Sequence, residues 1–284
     1  IELNLIWEDS LYFKDKGWEL SGVVYLKDAK KVVVLDKFDC SYYNDLSNLF
    51  IDETDSTYLP TSFEYLQCEY DNEHQSKLTF NDDKVDAEIF TLVRYKSGYS
   101  KTDVVSIYRI EWDEFGDPYP QMIIDSLNYD VSDIHYNDNN MLISNTSEEQ
   151  YEFRIYKRVG MNFNPFILDT IIVNSFLPNA IHLNDKYIFL GMANHGGLKI
   201  YDLESKKELY WYSQGFSIRD IFWDHESRKL ILSCGFQGVI VLELDENVGI
   251  VNSWIINSSY AYSARIFNRS IIIVTRKGIE TVYF

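Results

Sequence analysis

Apolar positions along this chain seldom recur at the spacing of roughly three to four residues that marks a helix face. They gather instead in runs of roughly four to eight, rich in β-branched and aromatic residues, which read as short strands. Asn, Asp, Gly and Ser clusters part the runs. VVVL at 32–35 and SIIIVT at 270–275 are among the more apolar of them. Many short strands without helical segments predict an all-β protein.

The runs follow a repeated order. GMANHGGLKIYDL (191–203) and SCGFQGVIVLELD (233–245) each pass through a glycine turn into an apolar strand that closes on an acidic residue. The turn glycines Gly197, Gly238 and Gly278 are 41 and 40 residues apart. A strand isoleucine opens each unit, at Ile134, Ile181, Ile221 and Ile266, with spacings of 47, 40 and 45. Within a unit a short strand (AIHL, DIFW, RIF) meets a polar turn (NDK, DHESRK, NRS). A more apolar strand, a glycine turn, a third strand and, in complete units, a fourth follow. Four antiparallel strands per ~40–45 residues is the period of a β-propeller blade, and a four-stranded sheet with two apolar faces buries both only between neighbours.

The pattern predicts six blades of four strands: 15–59, 60–128, 129–174, 175–214, 215–257, and 258–284 with 1–12. The last unit ends after its third strand, and IELNLIW (1–7) is an isolated strand, so the two ends are expected to share a sheet. LFIDET (49–54) reads as an outer strand, and EYDNEHQSKLTFNDDK (69–84) as a protruding loop or hairpin. The first two units fit the order poorly, which leaves a seventh blade open.

The units at 177–203 and 217–245 resemble LVIVD β-propeller repeats. The matching residues are Arg219-Asp220-Ile221, Tyr187-Ile188-Phe189-Leu190, Gly197-Leu198-Lys199-Ile200-Tyr201-Asp202-Leu203 and Gly238-Val239-Ile240-Val241. The resemblance covers 175–284 well and 129–174 loosely. It implies a propeller, often exported or attached to a bacterial surface, and carries no catalytic residues.

Composition narrows the partners. Of 284 residues, 46% are hydrophobic and 16% aromatic, ample for a large core. No apolar run reaches the ~18–20 residues of a membrane span. With 26 basic against 44 acidic residues the net charge is −18, which repels nucleic acid and anionic membranes. Residue 1 is Ile, so a preceding segment is expected, able to carry an export signal and a lipid anchor. Cys40, Cys68 and Cys234 are too few, and odd in number, for a disulfide framework; Cys40 and Cys68 could pair, and Cys234 reads as a small core residue.

The candidate chemistry is thin. His135 and His182 each follow the opening isoleucine, where the next two units carry Phe222 and Phe267, so packing between blades outweighs metal binding. The residue before that isoleucine runs Asp133, Ala180, Asp220, Arg265. Asp133, Asp220 and Arg265, with His135 and His182, could converge on a small ligand at a channel mouth, or Asp220 and Arg265 could tie two blades together. His195 in ANHGG could belong to an anion-binding nest, although glycines at a hairpin tip mainly supply positive φ. DETD (52–55), DNEH (71–74) and NDDKVDAE (81–88) admit calcium without matching a known calcium-loop spacing. Aromatics such as Trp211, Tyr260 and Tyr262 suit a protein interface or the faces of sugar rings.

These readings predict a non-enzymatic interaction module, a scaffold in an exported or cell-surface protein assembly, placed outside the cytoplasm as a lipoprotein. The alternatives are a cytoplasmic location and a ligand-binding propeller or hydrolase with a small-molecule or carbohydrate site at the channel mouth. No cofactor other than calcium enters either reading.

Overall fold

The computed structural model describes the backbone of nine strands between Asn4 and Leu127. Over 131–283 it describes the residues other than 138, 146–150, 161–165, 213–214, 268–269 and 276–277, with side chains except at 145, 267, 278, 279 and 283. Among the described residues twenty-four strands form six antiparallel sheets of four strands each. The first sheet holds β2 (Leu20–Leu26), β3 (Lys31–Asp36), β4 (Cys40–Asn44) and β5 (Glu64–Gln67). The second holds β6 (Glu73–Phe80), β7 (Ile89–Tyr95), β8 (Val104–Trp112) and β9 (Pro118–Leu127). The third is β10 (Val131–Tyr136), β11 (Asn140–Asn145), β12 (Tyr151–Arg158) and β13 (Phe166–Asn174). The fourth is β14 (Pro178–Leu183), β15 (Tyr187–Met192), β16 (Gly197–Asp202) and β17 (Glu208–Tyr212). The fifth is β18 (Asp220–Asp224), β19 (Lys229–Ser233), β20 (Val239–Leu244) and β21 (Ile250–Ile256). The sixth joins β22 (Ala261–Phe267), β23 (Ser270–Thr275) and β24 (Gly278–Tyr283) to β1 (Asn4–Glu8), which pairs with β24 from Asn4↔Tyr283 to Glu8↔Glu280.

Alternation along each strand decides which neighbour a side chain meets. In β19, Leu230 and Leu232 pack with Phe189, Leu198 and Ile200 of the fourth sheet, while Ile231 between them packs with Ala264, Ile271 and Ile273 of the sixth. β15 repeats the division: Phe189 faces the fifth sheet, and Ile188, Leu190 and Met192 face Leu142, Phe153 and Ile155 of the third. Strands buried on both faces are therefore apolar through their centres, as IFL of β15 and LIL of β19 are. Each fully buried Leu, Ile or Phe contributes about 1.5–3 kcal/mol relative to exposure.

The fourth strand of each sheet is outermost, and there burial lapses. Ile167, Val173, Val251 and Ile255 are each more than half exposed. β13, β17 and β21 each carry one extra residue, at Asp169, Leu209 and Val251; the first two stand at the same place in the ladder and the third two residues further along. A bulge on an edge strand bends it away from straight pairing with another chain.

The first strand of each sheet lies against the first strands on either side. β2 is next to β6, β6 to β10, β10 to β14, β14 to β18, β18 to β22, and β22 to β2.

Two expectations change. The stretch 69–84 is not a protruding loop: Glu73–Phe80 is the first strand of the second sheet, paired with β7. The fourth strand of the first sheet is Glu64–Gln67, while 49–54 lies outside the described residues. Polar sequences such as EHQSKLTF and EYLQ carry little strand signal of their own. They take it from pairing with strongly β-forming neighbours such as IFTLVRY.

Candidate functional site

The predicted polar residues all fall on the first strands, where neighbouring sheets meet. Their positions become comparable through the ladder. Asp133 pairs with Ser144, Ala180 with Gly191, Asp220 with Ser233 and Ser263 with Val274. Gly191, Ser233 and Val274 in turn face Leu198, Val239 and Ile279, the residues after the turn glycines Gly197, Gly238 and Gly278. Ser263, and not Arg265, therefore stands where Asp133 and Asp220 stand. Arg265 occupies the position of His135, His182 and Phe222. The sequence register of the sixth unit is corrected by two residues. A shift of two leaves every side chain on its own face, so the hydrophobic pattern could not reveal it.

The ladder also extends the comparison to the first two sheets. An extra residue precedes this position at Ser21, Ser76, Ser132, Asn179 and Tyr262, where the register jumps by one. In the fifth sheet Arg219 plays this part, its amide donating to Ser233 O at 2.8 Å beside the Asp220–Ser233 pair.

These positions tie sheet to sheet. From the third sheet, Asp133 Oδ2 accepts the Ile181 amide of β14 at 2.8 Å, and its Oδ1 accepts the amide of Ile134 at 2.8 Å. The Leu183 amide donates to His135 Nδ1 at 3.1 Å, and the Ser132 hydroxyl donates to Pro178 O at 2.5 Å. From the fourth sheet, Asn179 Nδ2 donates to Ile218 O at 2.7 Å. Ala180 has no group to offer, and His182 instead hydrogen-bonds the Ile221 backbone. From the fifth, Asp220 Oδ2 accepts both Arg265 Nη1 and Ser263 Oγ at 2.5 Å. Arg265 Nη1 also reaches Ser263 Oγ at 3.1 Å and Ala264 O at 2.8 Å.

Side chains at the next position run on as a stack. The His135 and His182 rings are 3.9 Å apart, His182 and Phe222 6.3 Å, and the Arg265 guanidinium carbon lies 5.2 Å over Phe222. Asp133, His182, Asp220 and Arg265 are all less than a tenth exposed, and His135 is half-buried. Burial pushes the His182 imidazole down to about 3; the Arg265 charge adds to this, and Asp220 and the Ile221 backbone oppose it.

Other candidates resolve separately. His195 is exposed, but the nest around it is occupied from within: His195 N donates to Ser217 Oγ, Gly196 N to Ala193 O and Gly197 N to Phe216 O. Cys234 is buried and free, its thiol pushed up to about 12 by burial. Among the described residues no three His, Cys, Asp or Glu side chains are grouped to hold a metal ion. The acidic stretches 52–55, 71–74 and 81–88, and the Cys40 and Cys68 side chains, lie outside the described side chains. No helix among the described residues is long and apolar enough to cross a membrane.

Sequence reading missed Ser132, Asn179 and Ser263 as tie residues. The bulge ahead of the opening isoleucine would have marked the first two, but a bulge leaves no trace in hydropathy.

No protein-family model matches the chain. No curated protein matches it either. Among solved structures the chain is similar to a component of one described as "Crystal Structure of Mitotic Checkpoint Complex", with 8% sequence identity, a TM-score of 0.57, and coverage of 95% of this chain and 75% of that one. At that identity the likeness bears on the fold alone, which is all-β and propeller-like.

Proposed function

We propose that the chain is a six-bladed β-propeller, closed by β1 in the last blade, that serves as a non-enzymatic protein-interaction module. The cyclic order of first-strand neighbours supports the closed arrangement. The observation that carries the function is the use made of the polar groups. Asp133, His182, Asp220 and Arg265 are buried and bonded to the adjacent sheet. Groups held this way fix the scaffold and leave its outer surface for contact with a partner.

Charge is distributed unevenly along the sequence. Residues 1–130 hold 27 acidic and 12 basic residues, whereas 131–284 hold 17 and 14. A strongly acidic chain segment speeds encounter with a cationic partner surface and disfavours anionic ones. The resemblance of 175–284 to LVIVD repeats supports a place in an exported or cell-surface assembly.

Size-exclusion chromatography of a native extract tests the reading. Elution in a complex well above the chain's own mass is expected; elution as a free monomer under gentle conditions overturns it.

A further inference from the structure

Two buried polar groups at the junction of the fifth and sixth sheets have no hydrogen-bond partner among the described residues: the Ser233 hydroxyl and Arg265 Nε. Ser233 is 1% exposed and Arg265 7%. The hydrogen bonds of the Arg265 guanidinium run through Nη1, to Asp220, Ser263 and Ala264 O. Ser233 pairs with Asp220 in the ladder and so shares its face of the fifth sheet, toward the sixth.

The same register position is handled differently in the other sheets. In the third it is Ser144, whose hydroxyl accepts the Asp133 amide at 2.8 Å and shares a bond of 2.5 Å with the Ser132 hydroxyl. In the fifth, Arg219 stands in the place of Ser132, so Ser233 has no hydroxyl there to pair with. In the fourth the position is Gly191, and the fifth sheet crowds it. A Cβ at Gly191 would lie 2.5 Å from Ile218 Cγ2 and 3.1 Å from Ile221 Cδ1. The sixth-sheet residues that correspond to Ile218 and Ile221 are Ala261 and Ala264, two before and one after Ser263. Both are buried, in one cluster with Ile231, Val239 and Val241 of the fifth sheet. The chain thus sets two isoleucines against Gly191 and two alanines against the larger Ser233.

We propose that ordered water fills the space that Ala261 and Ala264 leave opposite Ser233, bonded to the Ser233 hydroxyl and reaching Arg265 Nε directly or through a second water. Internal water needs room and polar partners, and this junction supplies both. Charge selects water over an ion. Asp220 and Arg265 already form a pair at 2.5 Å, so an added ion would be buried without a counter-charge. Arg265 Nε only donates, whereas a hydroxyl donates or accepts, and water suits both. The fifth sheet then meets the sixth, which holds β1, partly through solvent, where the fourth meets the fifth through isoleucine.

A high-resolution crystal structure of the full chain tests this. Density for a water is expected about 2.7–3.2 Å from Ser233 Oγ. Empty space there, or a Ser233 hydroxyl turned onto a protein group, overturns the proposal. So does an anomalous peak at the site after a bromide soak, which would make the occupant an anion. Urea unfolding gives a second reading. Ser233→Ala removes a hydroxyl bonded to water, and the midpoint is expected to fall. A hydroxyl buried without a partner is destabilising, so a midpoint that stays or rises in Ser233→Ala also overturns the proposal. Ala264→Ile together with Ser233→Gly rebuilds the arrangement around Gly191, and its crystals are expected to show no water at this place; water that persists there overturns the assignment.

Discussion

The junction between the third and fourth sheets and that between the fifth and sixth use the same register position with different chemistry. At the first, Asp133 accepts two backbone amides, one from each sheet. At the second, Asp220 meets the side chains of Arg265 and Ser263. A carboxylate bound to amides depends on backbone position and tolerates change in the neighbour's sequence. A buried ion pair depends on two particular side chains. The repeat therefore fixes no one residue at this position, which reads Asp, Ala, Asp and Ser along the chain; where Ala180 offers no group the tie passes to Asn179 and His182 beside it.

The largest effect is expected where that dependence is strongest. Arg265→Met takes the cation away from the buried carboxylate of Asp220, a loss of about 3–5 kcal/mol. Changing both partners, Asp220→Asn with Arg265→Met, should recover most of it, because removing a buried pair altogether is far less costly than breaking one. Urea unfolding of the two variants checks this; a double variant as unstable as the single one would show that the pair acts through packing and not through charge.

Much of this architecture was legible in the residues. The spacing of Gly197 and Gly238 has a direct cause, since both have φ near +75° and a Cβ at Gly238 would lie 2.1 Å from Ile256 O. The polar turns are legible for a similar reason. Asn137, Asn184 and Asp224, each three residues past the opening isoleucine, accept amides of the following turn. What stayed hidden depends on pairing. The two-residue register of β22 leaves alternation unchanged, and β6 becomes a strand because β7 receives it. The ion-pair alternative for Asp220 and Arg265 was visible, whereas Ser263 needed the ladder.

A smaller effect is expected at the first junction. Asp133→Ala removes the acceptor for two buried amides, and an unsatisfied buried amide costs about 1–3 kcal/mol. The neighbouring ties from Ser132 and His135 remain, so the variant should fold and unfold in one transition at lower urea. Asp133→Asn keeps an acceptor oxygen and should restore part of the loss. If Asp133→Ala were as damaging as Arg265→Met, the proposed difference between the junctions would disappear.

The smallest effect at neutral pH, and the sharpest in its pH dependence, belongs to His182, which lies between the two junctions. In the unfolded chain its imidazole takes a proton as pH falls below the ordinary 6.5, whereas in the fold it stays neutral down to about 3. Between those values the unfolded state binds the extra proton, so stability rises with pH across the window and is lost on acidification. The fifth sheet has Phe222 at the equivalent position, stacked between His182 and Arg265. His182→Phe should therefore be accommodated near pH 7, apart from the lost bond to the Ile221 backbone. It should also flatten the decline in stability between pH 6.5 and 4 by close to one proton. Urea midpoints measured across that range decide the matter, and a slope unchanged from the parent would mean that the acid sensitivity of the fold resides elsewhere than in the histidine stack.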